Sequence, residues 1–473
     1  MTGGSSIEYL EDWIGQTLRE AGTPGASVVL DRRGERLLAR GFGHRDVRAG
    51  LSPDVDTVFG CGSVTKSFTA LALLLLEEEG RLATGDPVAK HLPELRLPGA
   101  DPLSLTLHHL LTHTSGLPPL PTRHYAWLSQ DDLETFEREE IAGLLRRLPP
   151  RGAVRSFEEL LAFLGDHAYE LHAPPGEQFS YSNEGYALLG AIIERVSGTP
   201  LPAFIHERIL APAGMKRSSL DLRFTLRLEN VTRLYVRRGN QVVSSPNWFD
   251  PVCWSPAGGL RSSAADLARY FRMLASDGEL DGVRIATPGS IRRMTTAYAR
   301  REATEWYGYG LLRLADFQGH SLIRHGGGHK GVASCAGFAP ADGIVCSVLT
   351  NLANSPAEKI WEGCVRAALG LTPGPLFERG PAVALPLDTL RSFAGTYYSP
   401  EGAGAKVLVD DEGVVRVRIG EVSVLARPTA EDTLAFSGPR GDQTIRFVRL
   451  RGDGISHAAI GGRLVPRRRT PEA

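Results

Sequence analysis

A serine and a lysine three residues apart stand at the start of an apolar stretch of this chain. Ser63 and Lys66 precede the run from Phe68 to Leu76, in which nearly every residue is apolar. If this segment is helical, both side chains lie on one face, and the hydroxyl can meet the amine. A serine hydroxyl becomes a good nucleophile only when a nearby group accepts its proton. The spacing therefore predicts a nucleophile and its base, able to attack a carbonyl group.

Lys66 can be that base only if its pKa is lowered, because a free lysine with a pKa of about 10.4 is charged at neutral pH. Burial lowers the pKa of a lysine, and the apolar run after Lys66 is typical of an enclosed helix. The start of a helix also offers free backbone N–H groups that suit a developing oxyanion. By itself a Ser-x-x-Lys pattern is weak evidence, since an ordinary capped helix matches it too.

Two further segments carry groups suited to the same chemistry. Tyr181, Ser182 and Asn183 precede an apolar helical pattern. A phenol there can pass a proton between the serine and the leaving group, and the asparagine amide can hold a substrate carbonyl, although such a segment is equally typical of a helix cap. The run from His325 to Gly328 follows a strand-like segment. Its three glycines let a substrate backbone approach and leave N–H groups free to donate.

In this order the three patterns resemble the serine β-lactamase and penicillin-binding superfamily. The likeness is greatest to class C β-lactamases, family VIII esterases, D-aminopeptidases and alkaline D-peptidases, and it covers residues 7 to about 369. Further segments similar to signatures of this group are Thr23–Val29, Leu110–Leu117, Leu188–Glu194 and Pro256–Ser263.

The resemblance implies a role for each matching residue. Ser63 would be acylated, and Lys66 and Tyr181 would exchange the proton. The backbone N–H groups of Ser63 and Gly328 would form the oxyanion hole. The substrate-binding residues implied by the resemblance are Asn183, His325, Gly326 and Gly327.

The chain departs from the β-lactamase pattern at two of these positions. His325 stands where β-lactamases have the lysine of Lys-Thr-Gly, and Gly326 replaces the hydroxyl-bearing residue. A fixed cation and a hydroxyl together recognise the carboxylate of penicillins and cephalosporins. A histidine, which can hydrogen-bond a substrate carbonyl or titrate near neutrality, better suits neutral esters or amides with a free amino terminus. Relatives with histidine here are typically esterases and D-aminopeptidases.

We therefore expect a serine hydrolase that cleaves small esters or amide and peptide bonds, of the esterase or D-amino-acid-specific peptidase type, without a cofactor. One alternative is a penicillin-binding protein or weak β-lactamase that β-lactams acylate, and another is an inactive scaffold.

The α/β-hydrolase interpretation of His325 to Gly328 is set aside because no Gly-x-Ser-x-Gly follows. A zinc site at His325 and His329 is disfavoured because His-Glu-x-x-His is absent, so we expect no metal.

Composition limits the partners and the compartment. The chain has 473 residues, of which 42% are hydrophobic and 23% charged, and its formal charge is −1. No field of one sign exists to attract nucleic acid or anionic lipid, so we expect a small-molecule ester or short peptide as partner, and no nucleic acid or membrane.

Five cysteines without paired spacing argue against a disulfide framework. No signal peptide is visible, which favours the cytoplasm unless a leader was trimmed. Homo-oligomerisation stays open.

The periodicity of the chain predicts an α+β fold in two parts. A serine hydrolase domain at 1–369 has an antiparallel sheet flanked by helices and an all-α subdomain at about 106–214. A linker rich in glycine and proline at 370–386 leads to a small antiparallel β-barrel at 387–473, lipocalin-like by resemblance to several relatives. The role of this barrel stays open between a structural or oligomeric part and one that restricts access to the cleft. Within the first part we expect helices near 7–21, from Thr106, at 131–147 and at 156–171, and strands at 307–314, 322–324, 333–338 and 344–349.

Overall fold

The fold is taken from a computed structural model of the chain. It describes residues 3–98, 101, 103–127, 139, 142, 143, 146, 152–166, 169–245, 247–250, 252–376, 381–402, 404–420, 422–438, 441–450, 452 and 454–468.

An antiparallel sheet of eight strands forms the centre of the first part of the chain. Its strands lie in the order β2-β1-β8-β7-β6-β5-β4-β3, so the amino-terminal hairpin β1-β2 pairs with the last strand. The strands in chain order are β1 Gly25–Arg32, β2 Glu35–Gly43, β3 Ala299–Glu302, β4 Glu305–Tyr307, β5 Leu312–Leu314, β6 Ile323–His329, β7 Val332–Ala339 and β8 Ile344–Thr350. Short pairs outside this sheet join Phe59–Gly60 to Arg261–Ser262, Tyr235–Arg238 to Gln241–Ser244, and Glu279–Leu280 to Val283–Arg284.

Helices cover both faces of this sheet. The helices of at least eight residues are α1 Gly3–Glu20, α2 Thr65–Glu78, α3 Phe157–Asp166, α4 Asn183–Ser197, α5 Ala264–Ala275, α6 Pro288–Thr295 and α7 Ala357–Ala368. Shorter helical segments are Gly62–Val64, Val88–His91, Leu107–Leu111, Thr122–Trp127, Leu201–Ile205, His206–Leu210, Leu222–Thr225, Val252–Trp254, Ser255–Gly258 and Leu387–Phe393.

The sheet separates two apolar cores because side chains alternate along its buried strands. In β1, Val28 and Leu30 point into one core with α1 and α7, whereas Val29 points into the other with α2 and α5. The second core is the larger one and includes α4. Within α2 every residue from Thr65 to Leu76 is buried, so this helix lies inside the domain rather than on its surface.

The last part of the chain closes into an eight-stranded antiparallel barrel. Its strands pair in chain order, and the last pairs with the first. Alternate side chains, such as Val415 and Val417, fill the interior. The barrel strands are β9 Gly395–Tyr398, β10 Gly404–Val409, β11 Val415–Ile419, β12 Val422–Ala430, β13 Thr433–Gly438, β14 Gly441–Val448, β15 His457–Ile460 and β16 Arg463–Arg468.

The predicted fold class is confirmed, whereas several boundaries differ. The expected strand 307–314 is two strands, β4 and β5, joined by a turn, and the glycine run lies within β6 instead of after it. The helix from Thr106 has only five residues, and α3 ends at Asp166. Most of the predicted helix at 131–147 lies outside the described residues. The domain and linker boundaries stay predictions.

No single described helix is long and apolar enough to cross a membrane; α4 together with Leu201–Leu210 reaches that length and composition only as a pair bent by 81°.

Candidate active site

Ser63 and Lys66 meet at the start of α2. Ser63 lies in the short helical turn Gly62–Val64 that leads into the helix, and the Lys66 Nζ atom is 3.2 Å from the Ser63 Oγ atom. The Lys66 side chain has no exposed surface. Its amine also donates to the Asn183 Oδ1 atom at 2.8 Å and to the Ala257 carbonyl oxygen at 2.7 Å. The amine is therefore held by three neighbours and shielded from solvent, beside a serine that is itself partly exposed.

The surroundings of Lys66 favour its neutral form. Burial lowers the pKa of Lys66 well below its usual value, and the Arg463 guanidinium lowers it further against the opposing carboxylates of Glu184 and Glu401. A neutral amine has two N–H groups and one lone pair. When Asn183 and Ala257 accept the two hydrogens, the lone pair is left for the Ser63 hydroxyl. The geometry thus suits a lysine that accepts a proton from the serine.

Tyr181 lies beside the pair with its hydroxyl buried. The Lys66 Nζ atom is 4.8 Å from the centre of the Tyr181 ring, and within the described residues the phenol oxygen makes no hydrogen bond of normal geometry. Burial raises the pKa of Tyr181 to about 12, although the Ser63 hydroxyl and the Arg463 guanidinium act in the opposite direction. Tyr181 is therefore a protonated phenol at neutral pH, free to donate to a bound molecule.

A helix cap fixes the position of Asn183. The hydroxyl of Ser182 accepts a hydrogen bond from the Gly185 N–H at 3.1 Å, which caps α4 and makes Asn183 its first residue. The Ser182 N–H donates to the His113 Nδ1 atom at 3.1 Å, and the centre of the His113 ring lies 4.1 Å from that of the Tyr181 ring. The capping interpretation and the proximity to Lys66 both hold, because the cap is what aims the asparagine at the amine.

The glycine strand β6 passes directly beside the serine turn. A methyl group on Gly327 would lie 2.0 Å from the Cys61 carbonyl oxygen and 2.9 Å from the Ser63 nitrogen. Gly62 has a φ of +50°, and a methyl group there would lie 2.6 Å from the Gly328 nitrogen. Only glycine allows this approach. The backbone nitrogens of Ser63 and Gly328 lie on the two segments that meet here, and the oxyanion hole that the resemblance implies between them stays a prediction.

His325 lies at the site, and its imidazole is neutral rather than close to titration at neutral pH. Its Nε2 atom is 2.9 Å from the Tyr307 hydroxyl, and its Nδ1 atom faces the Gly326 carbonyl oxygen, which requires an N–H at Nδ1. Burial lowers the pKa of His325 to about 3. Of the two possibilities expected for this histidine, titration near neutrality does not agree with this lowered pKa, and a hydrogen bond to a substrate carbonyl stays a prediction. It is a neutral imidazole with both nitrogens engaged by protein groups.

The barrel reaches the same site through the turn between β15 and β16. The Tyr181 N–H donates to the Gly462 carbonyl oxygen at 2.9 Å, and the Leu464 N–H donates to the Ser180 hydroxyl at 3.3 Å. The guanidinium carbon of Arg463 is 5.2 Å from the centre of the Tyr181 ring. The segment before α4 is thus held from the barrel side as well as from His113.

The site residues predicted from the sequence lie in one cluster, whereas the residues that hold them in place were not predicted. Ser63, Lys66, Tyr181, Asn183 and the run from His325 to Gly328 all lie around one point. The missed residues are Tyr307, His113, Ala257, Glu184 and Arg463. A backbone carbonyl such as that of Ala257 has no signal in a sequence. Arg463 lies 400 residues after Ser63 in a separate barrel, and only the packing of the two parts brings it close.

Comparison with known proteins identifies the family to which the chain is related. The family model described as Beta-lactamase matches residues 10–363. An uncharacterized protein of Mycobacterium tuberculosis is 32% identical over 58% of this chain and 67% of its own. The octameric penicillin-binding protein homologue of Pyrococcus abyssi is 30% identical, with a TM-score of 0.68 over 95% of this chain and 97% of that one. A D-stereospecific amidohydrolase from Streptomyces sp. is 26% identical, with a TM-score of 0.59 over 75% and 97%.

The match to the family model covers the whole sheet and the helices that pack on it, from α1 to α7. The likeness to the Pyrococcus abyssi homologue extends further and includes the barrel. On this evidence, the chain belongs to the β-lactamase family.

Proposed function

We propose that the protein is a serine hydrolase that forms an acyl-enzyme on Ser63 and cleaves small esters or amides. The observation that carries this proposal is the contact between the Lys66 amine and the Ser63 hydroxyl, in a site where Lys66 has no exposed surface. A buried neutral amine with two hydrogens already bonded has only its lone pair to offer the serine. The nucleophile is therefore activated before any substrate arrives.

The proton path follows from the protonation states. Lys66 takes the proton of Ser63 as the hydroxyl attacks the carbonyl carbon, and the N–H groups of Ser63 and Gly328 stabilise the negative oxygen. Tyr181 gives its proton to the departing alcohol or amine and recovers one from Lys66. Water then attacks the acyl-enzyme and loses a proton to the same pair. The acyl group leaves as an acid, and Ser63, Lys66 and Tyr181 return to their initial states.

The neutral state of His325 bears on the substrate. A penicillin or cephalosporin carries a carboxylate, and this imidazole supplies no cation for it. Neutral esters, and amides of amino acids, have no such requirement. The related Streptomyces protein is a D-stereospecific amidohydrolase, which supports D-amino-acid amides as one substrate class. We place Asn183, Gly326 and Gly327 along the path of the bound substrate.

A second candidate is a penicillin-binding protein that β-lactams acylate with slow turnover. The likeness to the Pyrococcus abyssi penicillin-binding protein homologue over 95% of the chain favours it. That homologue is octameric by its description, and we propose by analogy that this chain also assembles into a homo-oligomer, which light scattering on the purified protein would detect.

The test compares the protein with two serine variants. Ser63→Ala is expected to lower hydrolysis of nitrophenyl esters and D-amino-acid anilides by about 10³-fold or more. The matched control is Ser67→Ala, one turn further along α2, where the buried hydroxyl donates to the Val64 carbonyl oxygen at 2.8 Å. This control should keep activity and lose about 1 kcal/mol of stability.

Mass spectrometry separates the two candidates. A transient acyl group on the peptide containing Ser63 supports the hydrolase, whereas a stable penicillin adduct without ester or amide turnover favours the penicillin-binding protein. Full activity of Ser63→Ala would exclude both.

A further inference from the structure

The turn between β15 and β16 places a charged barrel residue next to the catalytic cluster. Arg463 is the first residue of β16, and its side chain is about one-fifth exposed. The turn is fixed against the catalytic domain by the hydrogen bond from the Tyr181 N–H to the Gly462 carbonyl oxygen and by that from Leu464 to Ser180. The position of Arg463 relative to Tyr181 is therefore set by backbone contacts and not by a flexible side chain alone.

Arg463 is also oriented from behind. Its Nε and Nη2 atoms donate to the two carboxylate oxygens of Glu401 at 2.5 and 2.8 Å, a bidentate pair that holds the guanidinium plane. The Glu401 backbone carbonyl is in turn 3.0 Å from the His124 Nε2 atom of the catalytic domain. A guanidinium fixed on one side by a carboxylate presents its other side to the Tyr181 ring, which attracts a cation.

The distances place two cationic groups on one aromatic ring. The guanidinium carbon of Arg463 is 5.2 Å and the Lys66 Nζ atom 4.8 Å from the centre of the Tyr181 ring, so the two groups lie within about 10 Å of each other. Two positive charges at this distance, away from bulk water, repel by enough to change a protonation equilibrium. A fixed guanidinium cannot lose its proton, so the lysine is the group that responds.

We infer that the barrel completes the active site electrostatically: Arg463 is a positioning residue whose fixed charge keeps Lys66 in the neutral form that accepts the Ser63 proton. This inference rests on the proposed hydrolase function and deepens it. The barrel then does more than support or shield the cleft, because a residue 397 positions after Lys66 adds to the effect of burial and so influences the pH at which the nucleophile is active.

Other charged and titratable groups face the same cluster, and they decide the sign of each variant. Lys66 has its pKa lowered first by burial and then by Arg463, whereas Glu184 and Glu401 act to raise it. Tyr181 feels Arg463 and Arg301, which favour its ionised form, and Glu401, which opposes it. The groups that contact this cluster from the remaining elements are His113, Tyr186, Tyr307 and His325.

The experiment measures kcat/KM for a neutral nitrophenyl ester as a function of pH. Activity rises as Lys66 loses its proton, so the acidic limb of the profile reports the pKa of that lysine. Arg463→Met removes a positive charge, and the limb should move to higher pH by about one unit, as expected for charges within this distance at an intermediate dielectric. Glu401→Gln removes the opposing negative charge, and its limb should move to lower pH.

Two further variants separate charge from structure. Arg463→Met leaves the Glu401 carboxylate buried without its partner, which itself destabilises the barrel. The double variant Arg463→Met with Glu401→Gln removes both charges, so its limb should return towards that of the unmodified protein. Arg463→Lys keeps the charge, and its acidic limb should lie at the same pH as that of the unmodified protein. The matched control is Arg391→Met, which breaks the exposed barrel ion pair with Asp411 and should leave the profile unchanged.

Opposite shifts of the limb in the two single variants would support the inference, since a merely structural role would lower activity without moving the limb in two directions. Equal limbs in all variants, with activity that still depends on Ser63, would overturn the inference and leave the proposed hydrolase intact. Activity that does not depend on Ser63 would instead overturn the proposed function. Thermal denaturation of each variant identifies any that fail to fold; if Arg463→Met is one of them, the double variant compared with Glu401→Gln isolates the Arg463 charge, and the acidic limb of the double variant must then lie at the higher pH.

Discussion

Replacement of Lys66 by methionine should change how the stability of the protein depends on pH, because this lysine is expected to be neutral in the folded protein and charged in the unfolded chain. The folded pKa of Lys66 is lowered by burial, whereas in the unfolded chain it is about 10.4. Between these two values the unfolded chain binds one proton more than the folded one. Stability of the unmodified protein therefore rises with pH in this window, and it falls as the pH drops towards the folded pKa. Methionine has nothing to titrate, so the variant lacks this dependence.

The magnitude follows from one proton. Each pH unit in the window changes the free energy of unfolding by about 1.4 kcal/mol, so raising the pH from about 8 to about 9.5 should stabilise the unmodified protein by about 2 kcal/mol relative to Lys66→Met. The variant also loses the hydrogen bonds to Asn183 and to the Ala257 carbonyl oxygen, which costs about 1 to 3 kcal/mol for each buried acceptor left unpaired. That cost does not depend on pH and cancels when the two pH values are compared.

Urea denaturation followed by tryptophan fluorescence is the suitable assay. The six tryptophans report only the part of the chain before the barrel, namely Trp13, Trp127, Trp248, Trp254, Trp306 and Trp361. Lys90→Met is the matched control, since Lys90 is an exposed lysine paired with Asp86, and its stability difference should stay flat with pH. A flat difference for Lys66→Met as well would mean that Lys66 keeps its proton when folded, and the role of base would have to pass to another group.

Two further variants test the surroundings of the serine. Gly327→Ala should destabilise the fold by more than about 3 kcal/mol, because its methyl group would lie 2.0 Å from the Cys61 carbonyl oxygen, whereas Gly326→Ala, whose nearest contact is at 3.7 Å, should cost less than about 1 kcal/mol. Urea denaturation of the two glycine variants measures this difference, and equal losses of stability would refute the packing argument. Tyr307→Phe should leave the His325 Nε2 atom without a partner, lower the free energy of unfolding by about 1 to 3 kcal/mol, and lower kcat/KM without changing its pH profile. A variant as stable as the unmodified protein would show that Tyr307 does not hold the imidazole.

The sequence was informative where the constraint is local. The contact of Ser63 with Lys66 depends on a helical spacing of three residues, and the burial of Lys66 depends on the apolar run that follows it. The barrel strands were also recognisable, because alternating residues and turn pairs are properties of short segments. Both kinds of pattern leave their evidence within about fifteen residues.

Long-range contacts left no such evidence. The neutral state of His325 depends on its burial, and its contact with Tyr307 spans two strands of the sheet, whereas a lone histidine in a sequence is compatible with either charge state. The glycines Gly62 and Gly327 are needed because two segments approach within van der Waals distance, which a sequence does not display. The place of Arg463 depends on how two separately folded parts meet.

Taken together, the charges around the nucleophile argue for a substrate that is uncharged near the bond to be cleaved. Burial favours the neutral forms of Lys66, His113 and His325. The two guanidiniums next to Tyr181 are both paired, Arg463 with Glu401 and Arg301 with Glu305. Each of these guanidiniums is neutralised by a glutamate, so a carboxylate gains less here than it would from an unpaired cation, whereas a neutral ester or amide needs no cation. Under the proposed function, the arrangement that favours the neutral form of Lys66 would therefore favour uncharged esters or amides over anionic substrates.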